Sequence, residues 1–409
     1  MPGSKNARRG QAASRAGTRA EQGAAHAAAP DAAAEAGATD QARGWAEKLL
    51  EPVLMPAFWL DPGEEGDPYR VVVWFSGRRT GVTGKPKPGD TFTKEVVVER
   101  VVPGTGPVAV TAEVRGISEG EWDVTARPVK RPGSRIVRPV TSGAGDGAQG
   151  GHGALRPRRV TLPVGARARI STAPMPLTKI PGIVRLAYPG LVLLGMLTGL
   201  GLQVVLLGQA GLPAGRALLY SVYAVAAGVA GAKAWYIAVH RARRFEGWCI
   251  QGFVAGAAAL AAGAPLAGLG IPAGAYYAAA APGLLIGMAI GRPGCFWAGC
   301  CTGRPTASRW GIWSSDRLLG CRRFPAQWLE ALVALAAGLM ALGVVLVLGP
   351  VRSGPVALAA PAAYTFGRQF ILGLRAEPPR RSSRSGLVTA VIAAAVMIAG
   401  IAALAWSAA

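Results

Sequence analysis

Residues 290–306 read Ile-Gly-Arg-Pro-Gly-Cys-Phe-Trp-Ala-Gly-Cys-Cys-Thr-Gly-Arg-Pro-Thr. A long uncharged apolar run ends here, and Arg292 stands where that run meets water. Gly291, Gly294, Gly299 and Gly303 let the backbone turn tightly and approach a ligand closely. Arg292 and Arg304 bracket them. Cations on a glycine-rich loop at a bilayer edge fit two readings. One is a site for the phosphate of a lipid headgroup, because a guanidinium forks onto phosphate with two hydrogen bonds. The other is a basic loop that flanks a membrane span.

Outward from this stretch the chain is apolar on both sides. Leu186–Gly215 carries no charge over more than the roughly 20 residues a spanning helix needs. Ala217–Val239 is a second span with a single charge, Lys233. Gly247–Gly291 is uncharged and long enough for two helices, with a turn between Gly263 and Pro272. A fifth span follows Glu330, a sixth runs from about Gly354 to Arg368, and a seventh from Gly386 onward. Abundant Ala and Gly suit close helix–helix approach in lipid. The fold class is an α-helical polytopic membrane protein of about seven transmembrane helices, with a small β-sandwich-like soluble domain in front.

That front divides by composition. Residues 1–44 are rich in Ala, Gly and Arg and nearly free of large apolar side chains, so they read as a disordered tail. No apolar core follows their arginines, so they do not read as a signal peptide. Residues 45–131 hold β-rich runs at Arg70–Ser76, Lys94–Val102, Val108–Val114 and Glu121–Pro128, separated by Gly/Pro/Asp/Lys turns. This spacing suggests a sandwich of immunoglobulin or fibronectin type, acting as a binding or spacer module. Residues 132–180 read as a basic Gly/Pro linker, with one more strand expected near 159–164. The membrane domain is 181–409.

The net charge of +22 points to nucleic acid by reflex. Here the arginines are spread through a polar tail and through loops between apolar spans, which favours anionic lipid over nucleic acid. The five cysteines are Cys249, Cys295, Cys300, Cys301 and Cys321; their spacing fits no zinc motif, and only three histidines could complete one. A disulfide from Cys300 or Cys301 to Cys321 fits an oxidising face. Otherwise Cys295, Cys300 and Cys301 read as small buried hydrophobes or as reactive thiols.

Four segments, in order, resemble prolipoprotein diacylglyceryl transferase, a bacterial membrane enzyme that moves a diacylglyceryl group from phosphatidylglycerol to a lipoprotein cysteine. They are Gly231-Ala232-Lys233-Ala234-Trp235-Tyr236; Gly247-Trp248-Cys249-Ile250-Gln251-Gly252-Phe253-Val254-Ala255-Gly256; 291–306 followed by Arg323-Phe324-Pro325-Ala326-Gln327-Trp328-Leu329-Glu330; and Gly367-Arg368-Gln369-Phe370-Ile371-Leu372-Gly373-Leu374-Arg375. The resemblance covers roughly 186–409 and none of the front. The chain departs from the family pattern at four kinds of position. Gln251 stands where the family usually has a histidine. Cys295 and Ala298 take the places of two asparagines, and Cys300 that of a glutamate. Leu372 replaces a glutamate four places after Arg368.

The resemblance implies that Arg292 and Arg368 hold the lipid phosphate, with Arg304 or Arg375 assisting, and that Arg368 and Gln251 act at the reacting centre. Gln251 cannot serve as a base, so its part is to donate a hydrogen bond. Tyr188 lines the lipid pocket or anchors the interface. Glu330 pairs with Arg322 or Arg323, the alternative being a base. His240 belongs to a solvated basic loop. The implied partners are phosphatidylglycerol or another anionic lipid and a prolipoprotein, in the bacterial plasma membrane, with no cofactor and no metal. The competing function is a non-catalytic phospholipid-binding protein whose β module recruits a partner. A related transferase with another acceptor is a third. The family orientation puts the glycine-rich loop outside, whereas Arg241, Arg243, Arg244, Arg380, Arg381 and Arg384 would draw that side to the cytoplasm.

Overall fold

The computed structural model describes residues 50–135, 138–139, 168–174, 177–239, 249–376 and 383–408. The tail at 1–44, the strand expected at 159–164 and the basic segment around His240 lie outside the described residues. Strands come first: β1 (Pro52–Val53), β2 (Ala57–Asp61), β3 (Tyr69–Arg79), β4 (Thr91–Val101), β5 (Val108–Thr111), β6 (Glu121–Pro128), β7 (Arg138–Pro139), β8 (Ala168–Ser171) and β9 (Ala173–Pro174). Helices α1 (Ala187–Gln209), α2 (Ala214–Val239), α3 (Ile250–Ala262) and α4 (Ala273–Ala298) follow. A hairpin, β10 (Ile312–Ser315) and β11 (Leu319–Arg323), then interrupts the helical half before α5 (Ala326–Arg352), α6 (Val356–Leu372) and α7 (Ser383–Ala408).

Two sheets enclose one apolar core. One has the order β4-β3-β6-β8 and the other β10-β11-β5-β2-β7. Alternation along β6 shows why: Trp122, Val124 and Ala126 point inward while their neighbours stay wetter. They meet Val71, Val73 and Phe75 of β3 and, from the opposite sheet, Phe58, Leu60 and Val110. The segment 132–180, expected to be a connector, supplies β8 on the β6 edge and β9, which pairs with β1. It covers an edge that would otherwise present unpaired backbone groups.

The second sheet is not built from the front of the chain alone. Leu319 pairs with Val110 and Gly320 with Ala109, so a hairpin from between two membrane helices completes the β domain. Leu319 and Cys321 are buried in the β core. Trp313 of β10 stacks on Trp59 at 5.7 Å, and its Nε1 donates to the Pro107 carbonyl at 3.0 Å. The β domain is seated on the loop that joins α4 to α5.

Among the described residues, five helices (α1, α2, α4, α5 and α7) are long and apolar enough to cross a membrane. The apolar helices α3 and α6 have 13 and 17 residues. The chain is a multi-pass membrane protein. Small residues set the spacing of α1 against α4. A Cβ at Gly195 would lie 2.2 Å from the Gly287 carbonyl oxygen, and one at Gly199 would lie 2.7 Å from that of Gly283. Glycines four apart on both antiparallel helices therefore let the backbones touch. This contact holds the start of α1 beside the end of α4, where the glycine-rich loop begins.

Two substitutions test this frame. Leu319→Ala should destabilise the β domain by about 2–3 kcal/mol, the cost of emptying a packed leucine site. Its tryptophan fluorescence should report the loss in denaturant. Gly195→Leu should force α1 off α4 and lower the thermal unfolding midpoint in detergent, at a cost of about 1–3 kcal/mol from overpacking.

Candidate functional site

The glycine-rich stretch falls into two parts. Residues up to Ala298 continue α4, and the helix stops at Gly299, whose φ is +70°. The amide of Gly299 donates to the Phe296 carbonyl at 3.3 Å and that of Cys300 to the Cys295 carbonyl at 3.0 Å. This is the Schellman way of ending a helix, and it demands a residue free to take left-handed backbone angles. Arg317 donates from Nε to the Ala298 carbonyl at 2.9 Å, which adds positive charge at the helix end. Beyond the turn, backbone bonds hold the strand of loop in place: Arg304 N to Leu374 O at 2.8 Å and Ala376 N to Thr302 O at 2.9 Å. The loop is thereby laced to the end of α6.

Glu330 lies at the centre of what this lacing assembles. It sits on the first turns of α5, on the buried face that also carries Gln327 and Ala334. Its side chain is 2 % exposed. Arg292 of α4 places Nη1 2.9 Å from Glu330 Oε2. Arg368 of α6 brings Nε to 3.7 Å from Oε1, and Arg375 after α6 brings Nη1 to 3.9 Å. One carboxylate thus faces three guanidiniums. An ion at membrane depth is costly alone, and this mutual pairing is what makes the cluster tolerable.

The pairing leaves an imbalance. Three positive groups against one negative leave two charges uncompensated, and the two longer contacts exceed hydrogen-bond length. Nε of Arg368 is buried and meets no acceptor among the described residues. Nη2 of Arg292 donates to Tyr364 Oη at 3.1 Å, which fixes the direction of that guanidinium. Such a cluster is arranged to accept an anion with several oxygens.

The structure corrects the partner expected for Glu330. Arg323 turns away from it, buried against the hairpin, with Nη2 2.6 Å from Asp316 Oδ2 and Nη1 donating to the Gly303 carbonyl at 3.2 Å. Arg323 ends a β-strand whereas Glu330 faces the helix bundle, so proximity in sequence does not become proximity in space. The cue available in the sequence was the spacing Gln327–Glu330–Ala334, which puts Glu330 on the small-residue stripe of α5.

Other nominated residues divide into near and far. Arg304 is exposed, and its Nε donates to the Arg375 carbonyl at 3.1 Å, so it braces the loop that carries Arg375. Tyr188 lies on α1, with its Cα 3.0 Å from where a Gly294 Cβ would be, and so flanks the end of α4. Gln251 stands apart: exposed at the start of α3, it accepts a hydrogen bond from Cys249 Sγ at 2.6 Å. All five cysteines are free thiols, so the disulfide expected from Cys300 or Cys301 to Cys321 does not form. Cys321 is shut in the β core, where burial pushes its thiol up to about 11. The Schellman turn folds Cys300 back beside Cys295, and the sulfurs of Cys295, Cys300 and Cys301 lie within 4.8 Å of one another. Their linear spacing gave no hint of this.

Removal of the shared carboxylate tests the cluster. Glu330→Gln keeps the shape and leaves three guanidiniums with no countercharge. Breaking a buried ion pair in this way costs about 3–5 kcal/mol. A lower unfolding midpoint in detergent, partly restored by added anionic phospholipid, is the expected outcome.

Among known proteins, residues 177–406 match the family model described as prolipoprotein diacylglyceryl transferase, a match that spans more than half of the chain. No curated protein matches the chain.

Proposed function

We propose, from the premise that this chain belongs to the prolipoprotein diacylglyceryl transferase family, that it transfers the diacylglyceryl group of phosphatidylglycerol to the cysteine thiol of a lipoprotein precursor. The observation that carries this reading is the arginine cluster on Glu330. Phosphatidylglycerol presents one phosphate at the depth of the headgroups, and the two uncompensated positive charges match its demand as it becomes a leaving group. The acceptor sulfur bonds to the terminal glyceryl carbon, the bond from that carbon to the phosphate oxygen breaks, and glycerol phosphate departs as an anion. Arg292, Arg368 and Arg375 hold that phosphate; Arg368 Nε, 3.7 Å from Glu330 Oε1 and without a hydrogen-bond acceptor among the described residues, is free to donate to it. Donors fixed before reaction stabilise such charge without reorganising. Arg304 positions Arg375, and Tyr188 flanks the rim. In this reading α3 and α6 join the five longer helices to make seven membrane segments, and the protein sits in the bacterial plasma membrane.

Glu330 is committed to the arginines and Gln251 to Cys249, so neither supplies a base in this arrangement. Proton removal from the acceptor must have another source.

Purified full-length protein, given phosphatidylglycerol vesicles and a peptide bearing a lipoprotein cysteine, should release glycerol phosphate and lipidate the peptide. Arg292→Ala and Arg368→Ala should each lower kcat/KM by about 100-fold or more, the cost of losing one preorganised donor. The same chain should restore growth to a strain depleted of its own transferase. Binding of the lipid without product would instead make the protein a phospholipid-binding member of the family.

A further inference from the structure

We propose that Cys295, Cys300 and Cys301 form a three-thiolate site for a soft divalent cation of the zinc class, whose fourth position takes up the acceptor thiol. The second half of this statement rests on the transferase reading; the first stands without it.

The geometry is the argument. Cys295 is on the last turn of α4, and the Schellman bond from Cys300 N to Cys295 O brings those two side chains onto one side of the helix end. Cys301 then adopts φ +56°, a left-handed conformation that costs a non-glycine residue energy. That turn sends the third thiol back toward the other two. The three sulfurs come within 4.8 Å of one another. Zinc–sulfur bonds of about 2.3 Å in tetrahedral geometry set sulfurs about 3.8 Å apart, so closure needs movements below about 1 Å. Three thiolates select soft or borderline metals over calcium or magnesium.

The charge around the three sulfurs suits a loaded site. A divalent cation with three thiolates carries one net negative charge, and the neighbouring cluster carries an excess of positive charge. Access is available: Cys295 is buried, whereas Cys300 and Cys301 are partly exposed. Gln327 donates from Nε2 to the Cys300 carbonyl at 3.0 Å and holds the loop to α5, which steadies the ligands. Protein sites that keep three ligands on zinc leave one position open for a reactant.

That open position answers the missing base. When the acceptor thiol coordinates, its proton leaves to water and its sulfur stays as a metal-bound thiolate, with no histidine needed. The sulfur then bonds to the glyceryl carbon as the carbon–oxygen bond breaks, and the leaving phosphate remains with the arginines. The metal neither gains nor loses electrons.

The test uses full-length protein in detergent, stripped by chelator under reducing conditions and titrated with Co(II) as the spectroscopic stand-in for zinc. One metal per chain and a sulfur-to-cobalt charge-transfer absorption are expected, together with a raised unfolding midpoint. Cys295→Ser, Cys300→Ser and Cys301→Ser should each weaken binding at least 100-fold, and Cys249→Ser should leave the absorption intact. Absence of the absorption in the unsubstituted protein overturns the site, and so does the same absorption in the triple serine variant. A disulfide among the three, trapped in intact cells by alkylation, also overturns it. Metal binding with transfer indifferent to chelation removes only the role in acceptor activation. Transfer without metal binding removes the site and leaves the transferase standing. Metal binding without transfer does the reverse.

Discussion

A single carboxylate sheltered from water by three guanidiniums governs the helical half. Arg292 comes from α4, Glu330 from α5, and Arg368 and Arg375 from the end of α6. Each of these groups would be costly alone at the edge of a bilayer. Together they pin three helix ends at one point, and the loop after Gly299 is drawn over that point by backbone bonds to residues 374–376. The pinning is asymmetric in charge. A cluster balanced in charge would have used one arginine; the surplus is what the proposed binding of a lipid phosphate draws on.

The second constraint is mechanical. The hairpin of β10 and β11 begins nine residues after Gly303 (312 − 303) and enters the β domain as strands of its own sheet. Arg323 closes β11 and reaches back to the Gly303 carbonyl, so the loop and the sheet share a residue. Any displacement of the β domain is therefore felt at the glycine-rich loop. This contact reaches the loop through only a few bonds.

What the sequence made legible follows physical range. The long apolar runs reveal α1, α2, α4, α5 and α7, because hydropathy is a local property averaged over many residues. The β-rich run Glu121–Pro128 coincides with β6. Arg292, Arg368 and Arg375 were singled out by resemblance, and the structure brings them to one carboxylate. Proximity in sequence points Glu330 to Arg322 and Arg323, whereas the face of α5 that carries it turns it to Arg292. The hairpin was missed because Ile312–Ser315 and Leu319–Arg323 are short, weakly patterned runs, meaningful only beside β5. The thiol cluster was missed for a similar reason: its closeness depends on two left-handed residues, Gly299 and Cys301, and backbone sign is not written in residue spacing.

The shared hairpin has a consequence for how such a molecule is made. Val110 and Ala109 leave the ribosome roughly two hundred residues before Leu319 and Gly320, their partners. Three helices long enough to span a membrane, α1, α2 and α4, are made in between. The front domain therefore waits half-finished, with one strand edge bare, until the membrane segments are in place. Its completion becomes a record that insertion succeeded, and a chain stalled in the bilayer would present that bare edge to proteases and chaperones.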